Sequence, residues 1–101
     1  MDAMERDAIR LSPLDNVATV LRPVAAGENL RLGEASEGEV TARDAVPLCH
    51  KIALAPIAQG EAVLKYGHPI GEAFEPIAAG RHVHVHNMRS ARAQPGAARR
   101  S

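Results

Sequence analysis

Arg22-Pro23-Val24-Ala25-Ala26-Gly27-Glu28 returns twice in altered form, as Ala55-Pro56-Ile57-Ala58-Gln59-Gly60-Glu61 and as Glu75-Pro76-Ile77-Ala78-Ala79-Gly80-Arg81. Each copy reads proline, β-branched residue, alanine, any residue, glycine. Proline fixes φ and removes a ladder donor, whereas glycine accepts a positive φ. Each copy therefore reads as the end of one strand, a turn, and the start of the next. The copies begin 33 and 20 residues apart. Unequal spacing disfavours a solenoid and points to one β domain that uses the same corner three times.

Outward from these corners the segments are short. Residues 8–11, 17–21, 39–43, 51–54, 69–74 and 81–87 have strand length and β-like composition. Seven prolines, eight glycines and no sustained apolar pattern at 3.6-residue spacing leave little room for a long helix. The fold class is all-β. Residues 1–7 read as a flexible N-terminus, 8–89 as the folded domain, and 90–101, rich in arginine and alanine, as a disordered tail. Asp15-Asn16, just after Pro13, reads as a tight turn.

About 80 residues are left to build a core. Phe74 and Tyr66 are the only aromatics, and the apolar share of 46% is carried mainly by alanine, valine, isoleucine and leucine. Small side chains bury little area each, and at ~25 cal/mol per Å² of apolar burial the stability they supply is modest. Support from a partner subunit, a metal or self-association into a homo-oligomer is expected. The formal charge is zero, but the last thirteen residues carry four of the 12 basic residues and no acid. The body before them is net acidic. Without a basic stripe or stacking aromatics, nucleic acid is not the expected partner. Cys49 is the single cysteine, so no intrachain disulfide forms. No apolar run approaches the ~20 residues that span a bilayer, and the N-terminus has no signal-like apolar stretch. No membrane association is expected, and a cytoplasmic location is the default.

The sharpest chemical signal is Arg81-His82-Val83-His84-Val85-His86-Asn87. On a strand, alternation places the three histidines on one face and the two valines on the other. Neutral imidazole is a common ligand of divalent transition metals. Same-face neighbours on a strand stand about 7 Å apart, so two of the three are better suited to one ion than all three. A solvated polar strand face is the competing reading. His50-Lys51 enters a strand, and Lys65-Tyr66-Gly67-His68 lies in a turn-rich stretch. Lys65 could meet a carboxylate as a point charge and Tyr66 could donate a hydrogen bond, against the alternatives of a surface lysine and a core tyrosine. Cys49 has apolar neighbours and reads as inert.

The ordered set Asp15-Asn16-Val17-Ala18, 24–28, Val46-Pro47, His50-Lys51-Ile52-Ala53-Leu54, 57–61, 63–67, Pro69-Ile70-Gly71, 77–80 and Val83-His84-Val85-His86-Asn87 resembles the small SAF-type (β-clip) domain of altronate and galactarate dehydratases. Two departures stand out. Cys49 occupies a position where glycine or another small residue is typical, and His82 falls at a variable one, which makes it the weakest histidine candidate. In fused relatives a large domain with most of the active site follows; here the chain stops soon after Asn87. The resemblance implies a small subunit that works with a large catalytic dehydratase subunit on a sugar-acid substrate, removing water to give a 2-keto-3-deoxy acid. It implies a divalent metal, Fe²⁺ or Mn²⁺ with Zn²⁺ as a further candidate, held by His84 and His86. It further implies acid/base work by His84, His86 and His50, and substrate contacts from Lys51, Lys65, Tyr66 and Asn87. The alternative from another class is a non-catalytic SAF-type module that binds carbohydrate or metal.

Overall fold

The computed structural model describes residues 6–33 and 38–90. Among these the chain is all-β, with strands β1 (Ala8–Ile9), β2 (Val17–Val20), β3 (Asn29–Arg31), β4 (Glu39–Thr41), β5 (Lys51–Ala53), β6 (Ala62–Lys65), β7 (His68–Ala73), β8 (His82–Val83) and β9 (Met88–Ser90). All pairings are antiparallel: β1-β2-β5-β8 form one sheet, β3-β4 a second and β6-β7-β9 a third. No helix of the described residues is long and apolar enough to cross a membrane.

The corner read three times in the sequence occurs four times. Residues 44–50, Asp44-Ala45-Val46-Pro47-Leu48-Cys49-His50, form the additional copy. In every copy the closing residue donates its N–H to the carbonyl three residues earlier: Glu28 to Ala25 (3.2 Å), His50 to Pro47 (3.0 Å), Glu61 to Ala58 (2.9 Å) and Arg81 to Ala78 (3.2 Å). The residue before it has positive φ, 96° at Gly27, 71° at Cys49, 87° at Gly60 and 87° at Gly80. That residue also donates its N–H across the fold, to Ala42, Val20, Ala73 and Ala53 respectively. The sequence hides the fourth copy for two reasons. Its proline follows the β-branched residue instead of preceding it, and cysteine stands where the turn asks for glycine.

The corners pair off. Val24 bridges Val46, and Ile57 bridges Ile77. The domain is thus two similar units that share β5: the first runs from β2 through the β3/β4 hairpin to β5, the second from β5 through the β6/β7 hairpin to β8. Each has its own core. Leu30, Val24, Val46 and Ala42 are buried in one; Val63, Ile57, Ile77 and Ala73 hold corresponding places in the other. Full burial of such a side chain contributes about 1.5–3 kcal/mol, so a few of them suffice for each half.

The hairpins differ. The β6/β7 hairpin closes through Tyr66-Gly67, both at positive φ (61° and 74°), the requirement of a type I′ turn. Buried Asp15 fixes this tip: its carboxylate accepts the N–H groups of Tyr66 (2.9 Å), Gly67 (2.7 Å) and Ser12 (3.1 Å). Asn16 then pairs with the β6 backbone as a further strand residue would, donating to Ala62 O (2.9 Å) and accepting from Leu64 N (2.8 Å). β9 lies against β7, crossing so close at Gly71 that a Cβ there would meet the Arg89 carbonyl.

Expected strand boundaries shift in places. β3, β6 and β9 are additional strands, and the strand expected over 81–87 ends at Val83. Asp7, placed by the sequence reading in a flexible N-terminus, is held by Arg22 and by the Arg31 N–H (2.8 Å), and Ser90, read as the first tail residue, pairs with Gly71 in β9. The remaining expectations for residues 1–5 and for the tail 91–101 lie outside the described residues.

Candidate functional site

β8 stops after two residues because a side chain takes over its backbone. Asn87, buried, donates Nδ2 to His82 O (2.8 Å) and accepts the His84 N–H on Oδ1 (3.0 Å). The N–H groups of Asn87 and Met88 both turn back to His84 O, at 3.0 and 2.8 Å. The segment is a turn, and the alternation expected of three same-face histidines does not form. Both ends of the Asn87 amide are used within that turn.

The turn carries the His84 ring to His50, at the end of the 44–50 corner. Their ring centroids are 4.2 Å apart and stacked; His50 and His82 are 5.0 Å apart, His82 and His84 5.6 Å. His50 Nδ1 and His82 Nε2 approach to 2.9 Å, one donating to the other according to tautomer. One ligand atom from each of the three lies within 4.8 Å of the others. His86 stands outside this trio, its ring 5.1 Å from that of His82. It lines a groove of about 760 Å³ together with Pro56, Ile57, Pro76, Ile77, Glu75 and Arg81.

His82, the weakest histidine candidate of the sequence reading, is one of the trio, and Asp44 holds it there. Oδ2 of Asp44 accepts the His82 N–H (3.0 Å) while Oδ1 accepts Arg81 Nη1 (2.9 Å). Burial resists the charge on Asp44, yet those donors outweigh it and keep its carboxyl below the usual range. His82 is pushed down from the ordinary imidazole value by burial first and then by His86, His50 and His84; His84 is pushed down by burial, His50, Lys51 and His86. Both rings therefore favour the neutral form, with a lone pair available.

Lys51 opens β5, half-buried between β2 and β8, and burial together with the charge of Lys65 lowers its pKa. Lys65 ends β6 directly across from His68. Tyr66 is exposed at the hairpin tip. The structure thus gathers His50, His82 and His84, sets Lys51 within electrostatic reach of His84, and leaves Tyr66 on the surface. Asp44 and Asp15 went unnoticed as positioning residues. Asp44 had one available signal, its place at the head of a corner, aligned with Arg22, Ala55 and Glu75.

The trio suits a transition-metal ion. Two imidazole nitrogens bound to one ion at ~2.0–2.1 Å stand roughly 2.9–3.4 Å apart, which the His50–His82 approach already meets. Closing the widest separation takes a side-chain adjustment on the order of 1 Å.

Sequence comparison bears on the same region. The model of the altronate/galactarate dehydratase SAF domain matches residues 6–91. Altronate dehydratase of Escherichia coli (strain K12) is 46% identical over 82 residues, and that of Bacillus subtilis (strain 168) 38% over 82. These alignments cover 81% of this chain but only 16% of either relative. The (2R)-sulfolactate sulfo-lyase subunit alpha of Paracoccus pantotrophus is 37% identical over 57 residues, 56% of this chain and 85% of that protein. With an all-β structure of repeated corners beneath a match that spans residues 6–91, the chain belongs to the altronate/galactarate dehydratase SAF-domain family.

Proposed function

We propose that this chain is the SAF-type component of a hydro-lyase, acting with a large catalytic subunit to convert an aldonic or aldaric acid into a 2-keto-3-deoxy acid. The observation that carries this reading is the convergence of three imidazoles from two separate corners beside half-buried Lys51. The relatives support the two-part arrangement: in the altronate dehydratases the matching region is a small share of the protein, and in the sulfo-lyase it is most of a subunit alpha.

The chemistry sets the demands. A proton leaves C2, the C3 hydroxyl departs as water, and the resulting enol regains a proton at C3 as it becomes the 2-keto acid. Because the C2 proton sits next to a carboxylate, its removal needs a base at the hydrogen and positive charge at the developing enediolate. An Fe²⁺, Mn²⁺ or Zn²⁺ ion, held by imidazoles of this cluster, would supply Lewis-acid charge for that task. With no ion on the trio, His84, stacked on His50, can take a proton and the His50–His82 contact can pass it onward; with an ion held there those rings serve as ligands and the acid/base work passes to His86. Lys51 and Lys65 offer ammonium donors to the substrate carboxylate. His86, which lines the groove, is the proton donor assigned to the departing hydroxyl. Asn87 fixes the turn that aims His84.

The test is co-expression with a large-subunit candidate and assay of keto-acid formation from altronate and galactarate. His84→Ala and His86→Ala are expected to lower turnover about 10²–10⁴-fold. Full activity in both variants would overturn the catalytic assignment. (2R)-Sulfolactate belongs in the same assay, since the sulfo-lyase subunit alpha aligns with this chain over 85% of its own length; release of sulfite in place of keto-acid formation from sugar acids would move the substrate class to sulfonated hydroxy acids.

A further inference from the structure

We infer that His50, His82 and His84 bind one divalent d-block ion in this chain by itself, and that the ion staples the first half of the fold to the second. This extends the lyase reading, on which it depends for the use of the ion but not for its binding. The ligand set differs from His84 with His86: the turn that Asn87 closes brings His84 to His50, and His86 lines the groove.

Several features mark the trio as preorganised. Its ligand atoms lie within 4.8 Å of one another, on rings that stack or tilt against each other. Among the described residues, no side chain or backbone group hydrogen-bonds to the ring nitrogens of His84, so its lone pair is uncommitted. The backbone of His82 is gripped on both sides, its N–H by Asp44 and its carbonyl by Asn87. Partners that orient a ligand from behind typically change metal affinity about 10–100-fold. Asp44 is therefore a positioning residue of this site.

The topology gives the ion a mechanical role. His50 closes the 44–50 corner of the first half, while His82 and His84 follow the 75–81 corner of the second. Protein contacts already join the two corners, through Asp44 to Arg81 and His82 and through Arg43 N to Gly80 O (2.7 Å). An ion on the three imidazoles adds a third link at the opposite end of the 44–50 corner. Three protein nitrogens leave further coordination positions for water, substrate or a partner's side chain.

The experiment uses the 101-residue chain alone, stripped with a chelator and titrated with Co²⁺. Visible d–d absorption reports ligation and thermal unfolding reports the staple. Wild type is expected to saturate at one ion per chain, with a midpoint raised on the order of 10 °C at about 100 times Kd. His50→Gln and His84→Gln should each abolish the absorption band, while His86→Gln and His68→Gln leave it intact. Asp44→Asn should weaken binding about tenfold or more with the circular dichroism spectrum unchanged. Absence of uptake by wild type, retention of the band in His50→Gln, or its loss in His86→Gln would overturn the site; Asp44→Asn binding at wild-type affinity would overturn the positioning role. None of these outcomes touches keto-acid formation in the two-subunit assay, so the lyase reading stands or falls separately.

Discussion

The two halves of the domain repeat one plan, and they part company where each meets something outside its own core. Where the first half places Val40 in its hairpin, buried in the core, the second has Gly71, and β9 passes over it. The second hairpin is closed by a two-residue turn held by Asp15, whereas the first is held at Arg31, opposite Glu39, by Asp7, which binds the Arg31 N–H and Arg22. The second half is thus covered and fastened, and the first meets the cost of a cysteine in a glycine's conformation at the corner that delivers His50. The comparison teaches that the repeat supplies the scaffold while the departures from it build the site.

The largest break should come from restoring the repeat where it was abandoned. Gly71→Val gives the second hairpin the first one's side chain, and its Cβ runs into the Arg89 backbone and the Met88 side chain. Overpacking against backbone costs about 3 kcal/mol or more, because β9 must move away. Hydrogen exchange at residues 88–90 and thermal unfolding would show it; a wild-type midpoint would mean that β9 contributes nothing to the second core. Asp15→Ala is expected next, at about 3 kcal/mol by urea unfolding, since three backbone N–H groups lose one charged acceptor together. Asp7→Ala, with its partners more exposed, should cost less. Equal losses would erase the distinction between the two aspartates' fastenings.

The limits of sequence reading follow the same line. Gly27, Gly60 and Gly80 betray their corners because proline and glycine each impose a backbone constraint visible in composition. Cys49 hides its corner: a positive φ in a non-glycine residue is forced by tertiary hydrogen bonds, here from Cys49 N to Val20 O, and leaves no mark in the residue type. The alternating histidines read as a strand for a comparable reason. Period-two patterning is a necessary sign of a strand, but one buried asparagine hydrogen-bonding its neighbours' backbone outcompetes the ladder. That substitution of a turn for a strand brings His84 to His50. Asp44 acts on a residue 38 positions away, and its place at the head of a corner is the one local sign of it.

Removing the Cys49 departure should have a smaller effect with the opposite sign. Left-handed conformation costs an L-residue about 1–2 kcal/mol, and the Cys49 side chain is exposed, with no buried contact to lose. Cys49→Gly should therefore stabilise the fold by about 1 kcal/mol. Gly27→Ala, whose added Cβ meets nothing within 4 Å, should destabilise it by a similar amount through φ alone. A loss of stability in Cys49→Gly would show that the thiol has a partner beyond the chain.

The smallest effect compares two closing glutamates. Glu28 and Glu61 end matching corners and each accepts the N–H three residues back, from Ala25 and Ala58, at 2.7 Å. Only Glu28 also meets Arg22, at 2.9 Å, and that guanidinium, followed by the Ala25 N–H, holds its carboxyl below the ordinary 4.5. A carboxyl whose folded pKa is depressed adds stability that is fully present above its unfolded pKa and is lost as pH falls through the folded one. Stability should thus drop as the pH is lowered below about 4.5, and part of that drop should vanish in Glu28→Gln. Because the pair is exposed, salt should shrink the effect. Thermal midpoints from pH 7 to pH 3 should separate Glu28→Gln from Glu61→Gln at neutral pH and bring them together in acid. A constant gap across that range would mean that Arg22 does not distinguish the two corners.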